Sequence, residues 1–410
     1  MTEPGRALPL SGYRILDLTM MTAGPVGTMM LGDLGADVVK VEELGDGELS
    51  RSIGAVYVNG ESSIFLSQNR NKRSIRLDLK HPDGRDLFLR MAASADVVTE
   101  NFRPGTVDRL AIGYDAVRKI NPDIIYASIS AFGQSGPYAQ LPANDPIIQA
   151  RSGLMSMTGE VGGAPVRIGN PYPDFGAAAL LAFAISTALL HRERTGEGQK
   201  IEISLLSGAV FSSIPRDGET LRTGAAPPRL GSGHPTFVPY RNYKGADGSY
   251  FFLACFTEKF WTAMCEAVER PDLASDKRFS TNVERCRNRE ALDAELDRLF
   301  ATRPSSEWLE CFARGNVPAA PIQDLYQALR HDEQVAHNRT VVELQHPTAG
   351  SVEMLALPVD FLGTPAQYRR AAPMLGEHTF EILAEFGLST KEVERLTAAG
   401  VVAGLRPGED

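Results

Sequence analysis

Strand-like and helix-like segments alternate through the first third of the chain, and this limits the fold more than any other feature. Residues 13–18 (YRILDL) read as a strand. Gly24-Pro25 then opens a helix through Leu34, with proline in the first turn, where its missing N–H costs nothing. Residues 37–42 (DVVKVE) form a second strand and 74–79 (SIRLDL) a third; a helix follows over 82–95. Residues 96–102 and 123–130 supply two more strands. Strands separated by crossover helices predict an α/β fold with a mostly parallel, doubly wound sheet. Ligands of such sheets sit at the carboxyl ends of strands, so the loops after Leu18, Glu42 and Phe102 are candidates.

A chain of 410 residues exceeds one ordinary domain. Near residue 206 the pattern gives way to RDGETLRTGAAPPRLGSGHP, a linker or a mobile functional loop. Beyond it, 248–256 (GSYFFLACF) reads as a strand and charged helices run to Phe312, so 225–325 reads as a smaller second domain. The tail carries a β-like stretch at 351–359 and amphipathic helices at 377–386 and 391–398.

Several functions are disfavoured. A net charge of −9 argues against nucleic acid as a partner. Cys255, Cys265, Cys286 and Cys311 show no CxxC pairing or metal-ligand spacing, so no metal is expected and reduced thiols in a cytoplasmic protein are. The longest apolar run, 175–190, falls short of the ~20 residues a bilayer needs, which predicts a buried helix and no membrane partner. There is no GxGxxG after the first strand, no P-loop lysine, no HExxH and no GxSxG.

Asp174 stands in Tyr172-Pro173-Asp174-Phe175-Gly176, just before that apolar run. Asp is a favoured N-cap, its oxygen satisfying free N–H groups of the first turn. The same place suits chemistry, because helix-end N–H groups stabilise an anion and a desolvated carboxylate serves as a nucleophile. Composition does not choose between them. The run 69–76 (NRNKRSIR) reads most simply as a solvated edge. Asn101-Phe102-Arg103-Pro104-Gly105 follows a predicted strand, where it is either an ordinary turn or a holder for a phosphorylated base. Gly231-Ser232-Gly233-His234-Pro235 is a flexible turn or a small-residue lid.

Taken in order, LSGYRILDLT, AGPVGTMMLGDLGADVVKVE, NKRSIRLDLKHPDGRDLF, ADVVTENFRPGTVDRLAIGY, NPDIIYASISAFGQSGPY and PDFGAAALLAFAISTALLHRERTGEGQKIEISLL resemble the class III CoA-transferase family, with QARSGLMSMTG and GNVPAAPIQDL similar too. An isolated ENF or GP would carry little; the ordered series is specific. The resemblance implies a Rossmann-like large domain with a mostly parallel sheet and a smaller α+β domain. Residues 1–205 would form the large CoA-binding domain, completed by 330–410; 206–224 would link it to 225–325, and 326–410 would return to it. Two such chains would thread through one another as an interlocked homodimer.

Matched position by position, Asp174 falls on the family's catalytic aspartate and Asp145 on an acidic active-site position. Gly231, Ser232 and Gly233 fall on its glycine-rich loop, with His234 replacing a Gln of formyl-CoA transferase. Leu77 to Lys80, Asn101, Phe102 and Arg109 fall on CoA-contacting positions. Thr22 stands where formyl-CoA transferase has an active-site Gln. Glu43 and Pro142 replace an Arg and a Lys there, which leaves phosphate recognition to Lys80, Arg103 and Arg109. The implied substrates are an acyl-CoA and small carboxylic acids, with no cofactor beyond the CoA thioester itself. Arg216, Arg222 and Arg229 are solvated loop residues or partners for a second carboxylate, which would suit a dicarboxylate such as succinate. The implied mechanism passes through an aspartyl anhydride and an aspartyl-CoA thioester at Asp174. The alternatives are an α-methylacyl-CoA racemase, whose His base is replaced here by Asn144, and a non-catalytic CoA-binding homologue.

Overall fold

The computed structural model describes residues 7–405. β1 (Arg14–Asp17), β2 (Asp37–Glu42), β3 (Lys72–Leu77), β4 (Val97–Glu100), β5 (Ile125–Ser130) and β6 (Gln199–Ser204) pair in parallel in the order 3-2-1-4-5-6. A short strand, Val402–Ala403, adds antiparallel to the outer edge of β3. Helix α1 (Ala23–Asp33) joins β1 to β2 and α2 (Pro82–Ala92) joins β3 to β4. Helices α3 (Asp145–Arg151) and α4 (Tyr172–Thr195) lie between β5 and β6. This is the mixed α/β architecture that the alternation predicts. Strand order reverses between β1 and β4, and in open sheets that reversal leaves a crevice at the carboxyl ends.

Side chains alternate across each strand, so Leu16, Val39, Ile75 and Val98 share one face and cluster with Leu87, Phe88 and Met91 of α2. Burying each such side chain contributes about 1.5–3 kcal/mol. Helix α1 packs on α4 at a place only glycine allows: a Cβ on Gly27 would lie 2.8 Å from the Ala178 carbonyl oxygen. Along α4, Ala177, Leu181, Ile185 and Leu189 are buried at the four-residue spacing of one helix face. By length and composition α4 is apolar enough to cross a membrane. Its other face leaves Phe175 48%, Phe183 68% and Leu190 50% exposed, so the expected burial holds for one side only.

The basic run is not a solvated edge. Arg70 and Lys72 are essentially sealed from solvent, and Arg73 is 6% exposed. Lys72 Nζ donates to Asp17, the Pro25 carbonyl and Asn69, each at 2.9 Å. Arg70 forks onto Asp33, and Arg73 onto Asp37 and Glu385. Buried cations persist only when paired and fully hydrogen-bonded, and the acids that pair them come from β1, α1, β2 and the C-terminal segment.

Two compact units divide the chain: the larger holds residues up to Leu154, Arg167–Gly218 and His337 onward, and the smaller holds Met155–Val166 and Glu219–Ala336. The smaller unit has an antiparallel sheet of β7 (Tyr240–Lys244), β8 (Tyr250–Ala254) and β9 (Ala319–Pro321). Its core gathers Phe251, Trp261, Phe300, Trp308 and Phe312. Residues Met155–Val166 belong to it because the Gly231 amide donates to the Gly159 carbonyl at 3.0 Å and Arg229 to that of Gly163 at 2.8 Å. Within the stretch read as a linker, Leu205–Phe211 and Arg216–Thr223 are helical.

Candidate active site

The loops leaving β1 and β4 meet at the strand-order reversal. Asp17, the last residue of β1, is buried, which works against its charge, yet Lys72, Lys40 and the hydroxyls of Thr19 and Thr28 hold its carboxyl well below the usual range. This anchors Thr19. One residue on, the Met20 peptide is gripped from both sides by Asn101, whose Oδ1 accepts from Met20 N at 2.9 Å and whose Nδ2 donates to Met20 O at 2.8 Å. The Asn101 amide, expected on CoA, pins one loop to the other with one N–H and one lone pair. Met21 follows in the left-handed region at φ 69°, an uncommon conformation for a side chain of its size.

Asp174 is not the cap of α4. The N-cap is Pro171, and Asp174 is the third helical residue. In the first turn, the Tyr172 amide donates to Asn170 O at 2.9 Å and Pro173 has no N–H. The Asp174 amide donates to Asp145 Oδ2 at 3.2 Å, and the Phe175 amide to Pro171 O at 3.0 Å. Every helix-end donor there is satisfied, and the anion these amides hold is the Asp145 carboxylate. What is left free is the Asp174 carboxylate, which takes no hydrogen bond among the described residues.

Asp145 is 6% exposed and sits at the first position of α3. Gln149, one turn on and wholly buried, donates to Asp145 Oδ1 at 2.6 Å and to Asn170 O at 3.4 Å. Its Oε1 accepts from the Ile168 amide at 2.8 Å. One side chain thus ties Asp145 to the segment that leads into Asp174. Burial, and then the Asp145 charge, push the Asp174 carboxyl up to about 7. A group poised there exchanges charge near neutrality and is more basic than an ordinary carboxylate.

Thr22, Asn101, Phe102, Arg103, Asp145 and Asp174 line one cavity of about 230 Å³. Leu77, Lys80, Phe102 and Arg109 line a neighbouring one of about 760 Å³, with Met20 and Phe102 bordering both. Glu43 lies on the larger cavity as well. Arg103, expected with the phosphate-holding cations, lines the smaller cavity with Asp174 and not the larger. Gly231 and Ser232 belong to the smaller unit. There Gly231 takes φ 59°, and the Ser232 hydroxyl donates to Asn242 Oδ1 at 2.6 Å. Arg229 is spent on the carbonyls of Ser156 and Gly163, while Arg222 is exposed on its helix. Sequence reasoning missed Gln149, although its place four residues after Asp145 on one helix face was a usable signal.

A family profile described as CoA-transferase family III matches residues 10–379. The chain is 38% identical to the succinyl-CoA:glutarate CoA-transferase of Mus musculus over 395 residues, covering 96% of this chain and 90% of that one. It is 37% identical to the acetyl-CoA:oxalate CoA-transferase of Acetobacter aceti, over 92% and 96% of the two chains. Among solved structures, a CAIB/BAIF family protein from Brucella suis superposes with a TM-score of 0.84 at 34% identity, over 93% of this chain and 100% of that one.

Proposed function

Because this chain belongs to CoA-transferase family III, we propose that it moves coenzyme A between carboxylic acids with Asp174 as the covalent carrier. One observation carries the reading: Asp174 presents a carboxylate free of partners, raised to about 7, in a cavity where Asp145 has taken over the structural work.

Ionised Asp174 attacks the donor thioester carbon. The C–S bond breaks, CoA leaves as thiolate, and a mixed anhydride remains. The thiolate then attacks the Asp174 carbonyl carbon, which expels the donor acid and leaves an aspartyl-CoA thioester. An acceptor carboxylate attacks that carbonyl, releasing thiolate and forming a second anhydride. Attack of the thiolate on the acceptor's carbonyl gives the new acyl-CoA and restores the Asp174 carboxylate. Thioester energy is conserved at each exchange, and water must be kept from both intermediates. Asn144, which lines the cavity, carries an amide that cannot abstract an α-proton, and this favours transfer over racemisation.

The relatives named for glutarate and oxalate support dicarboxylic acids as donor or acceptor. The larger cavity, with Lys80 and Arg109, suits the CoA moiety. An interlocked homodimer in the cytoplasm is part of the same proposal, and the exposed apolar face of α4 supports a second copy covering it. Gly231 and Ser232 enter through the resemblance alone. The test is Asp174→Asn, expected to abolish transfer while retaining CoA binding. Hydroxylamine trapping during turnover should label residue 174; normal transfer by Asp174→Asn refutes the scheme.

A further inference from the structure

We infer that Arg103 holds the second carboxylate of a dicarboxylic acyl group, which makes the Asp174 cavity a subsite for short dicarboxylic acids. The inference deepens the transferase reading and rests on it. Among the described residues lining this cavity, the charged side chains are Arg103, Asp145 and Asp174. Asp145 has both oxygens engaged, by Gln149 and by the Asp174 amide. Asp174 loses its charge whenever it carries acyl or CoA. Arg103 is exposed and has no ion pair or side-chain hydrogen bond among the described residues. Among the described residues it is the one cation lining this cavity, and it is separate from Lys80 and Arg109 in the larger cavity.

Two further features offer an anion hydrogen-bond donors there. The amino end of α1 opens on it through Thr22 and Ala23, and the first turn of that helix carries no acidic residue and no side-chain cap. Ser130, 7% exposed, borders it with a hydroxyl that has no partner among the described residues.

The selection works in both directions. A carboxylate brought into this cavity meets the like charge of Asp145, so a diacid gains from the counter-charge of Arg103. An alkyl end in the same place would strip water from the guanidinium and offer nothing in return, which disfavours a monoacid. A volume of about 230 Å³ limits the acid to a short chain.

The test compares glutarate with valerate as acceptors, at one fixed acyl-CoA donor, for the wild-type protein, Arg103→Met and Arg103→Lys. The ratio of kcat/KM for glutarate over valerate should fall about a hundredfold or more in Arg103→Met and recover in part in Arg103→Lys, which keeps charge but not the planar fork. An equal fall for both acids, with a raised KM for the donor, would make Arg103 a phosphate-holding residue and overturn the inference. A second arm titrates both acids into CoA-loaded Asp174→Asn protein by calorimetry, with and without Arg103→Met. If the wild-type protein transfers CoA to neither acid, neither is its acceptor and this arm decides; the transferase reading itself is judged by Asp174→Asn. Glutarate binding lost with Arg103 upholds the subsite; glutarate binding that survives removes it.

Discussion

The backbone amide of Asp174 donates to Oδ2 of Asp145 at 3.2 Å, so the helix that carries one carboxylate is capped by another twenty-nine positions earlier in the chain. Two acids close in space have different work because one is committed to hydrogen bonds and the other is not. The committed charge also keeps a proton on its neighbour into the neutral range.

Asp145→Asn keeps an acceptor for the Asp174 amide but removes that charge. The acid limb of kcat/KM, expected near pH 7, should move to lower pH. It should stay above the ordinary carboxylate range, because burial is the larger cause and remains. A pH–rate profile measures this; an unmoved limb means the two carboxylates are not coupled.

Asp174→Asn should alter stability in a pH-dependent way. A carboxyl raised from 3.8 to about 7 binds its proton more tightly in the folded chain than in the unfolded one. Its presence therefore costs stability progressively as pH rises through that window, and fully above it. The Tm advantage of Asp174→Asn over wild type should be larger at pH 8 than at pH 5. A constant difference contradicts the raised value.

Gln149→Leu leaves Asp145 Oδ1, the Asn170 carbonyl and the Ile168 amide short of a partner. Only Asp145 is buried, and its unsatisfied oxygen costs about 1–3 kcal/mol, visible in urea unfolding. The catalytic signature is a fall in kcat of about 10- to 100-fold with little change in donor KM. A donor KM that rises instead would place Gln149 in CoA binding.

Lys72→Met should destabilise the chain by about 3–5 kcal/mol, because Asp17 is left buried without its nearest cation. Burial draws the Lys72 ammonium down to about 8 even with Asp17 alongside, while the same contact holds the Asp17 carboxyl low. Adding Asp17→Asn should recover part of the loss in guanidinium unfolding. An additive second loss excludes the coupling.

The parts legible in the sequence are those whose signal is local. Residues 37–42, a β-branched run, are a strand at those bounds, and the helix expected from Gly24 begins at Ala23. The 69–76 run misleads because the acids that neutralise most of it, Asp17, Asp33 and Asp37, belong to other elements, and four cations within seven residues look wet unless their partners are known. Asp174 misleads for the same reason: a Pro before it and an apolar run after it suit an N-cap, and only the fold brings Asp145 to that duty. Asn101 carries no local hint that its amide would grip the Met20 peptide across the sheet.

The strand Val402–Ala403 lies against Leu77 and Arg76 at the outer side of β3. Nearer the start of β3, the His378 amide donates to the Ser74 carbonyl and the Thr379 hydroxyl accepts from the Arg76 amide, so β3 keeps an open edge until the segment 378–403 has been made. Open edges of that kind recruit other chains. A chain lacking that segment would carry all of the cavity residues and still be prone to aggregate, so residues 378–403 work as a seal on the sheet and not as part of the site.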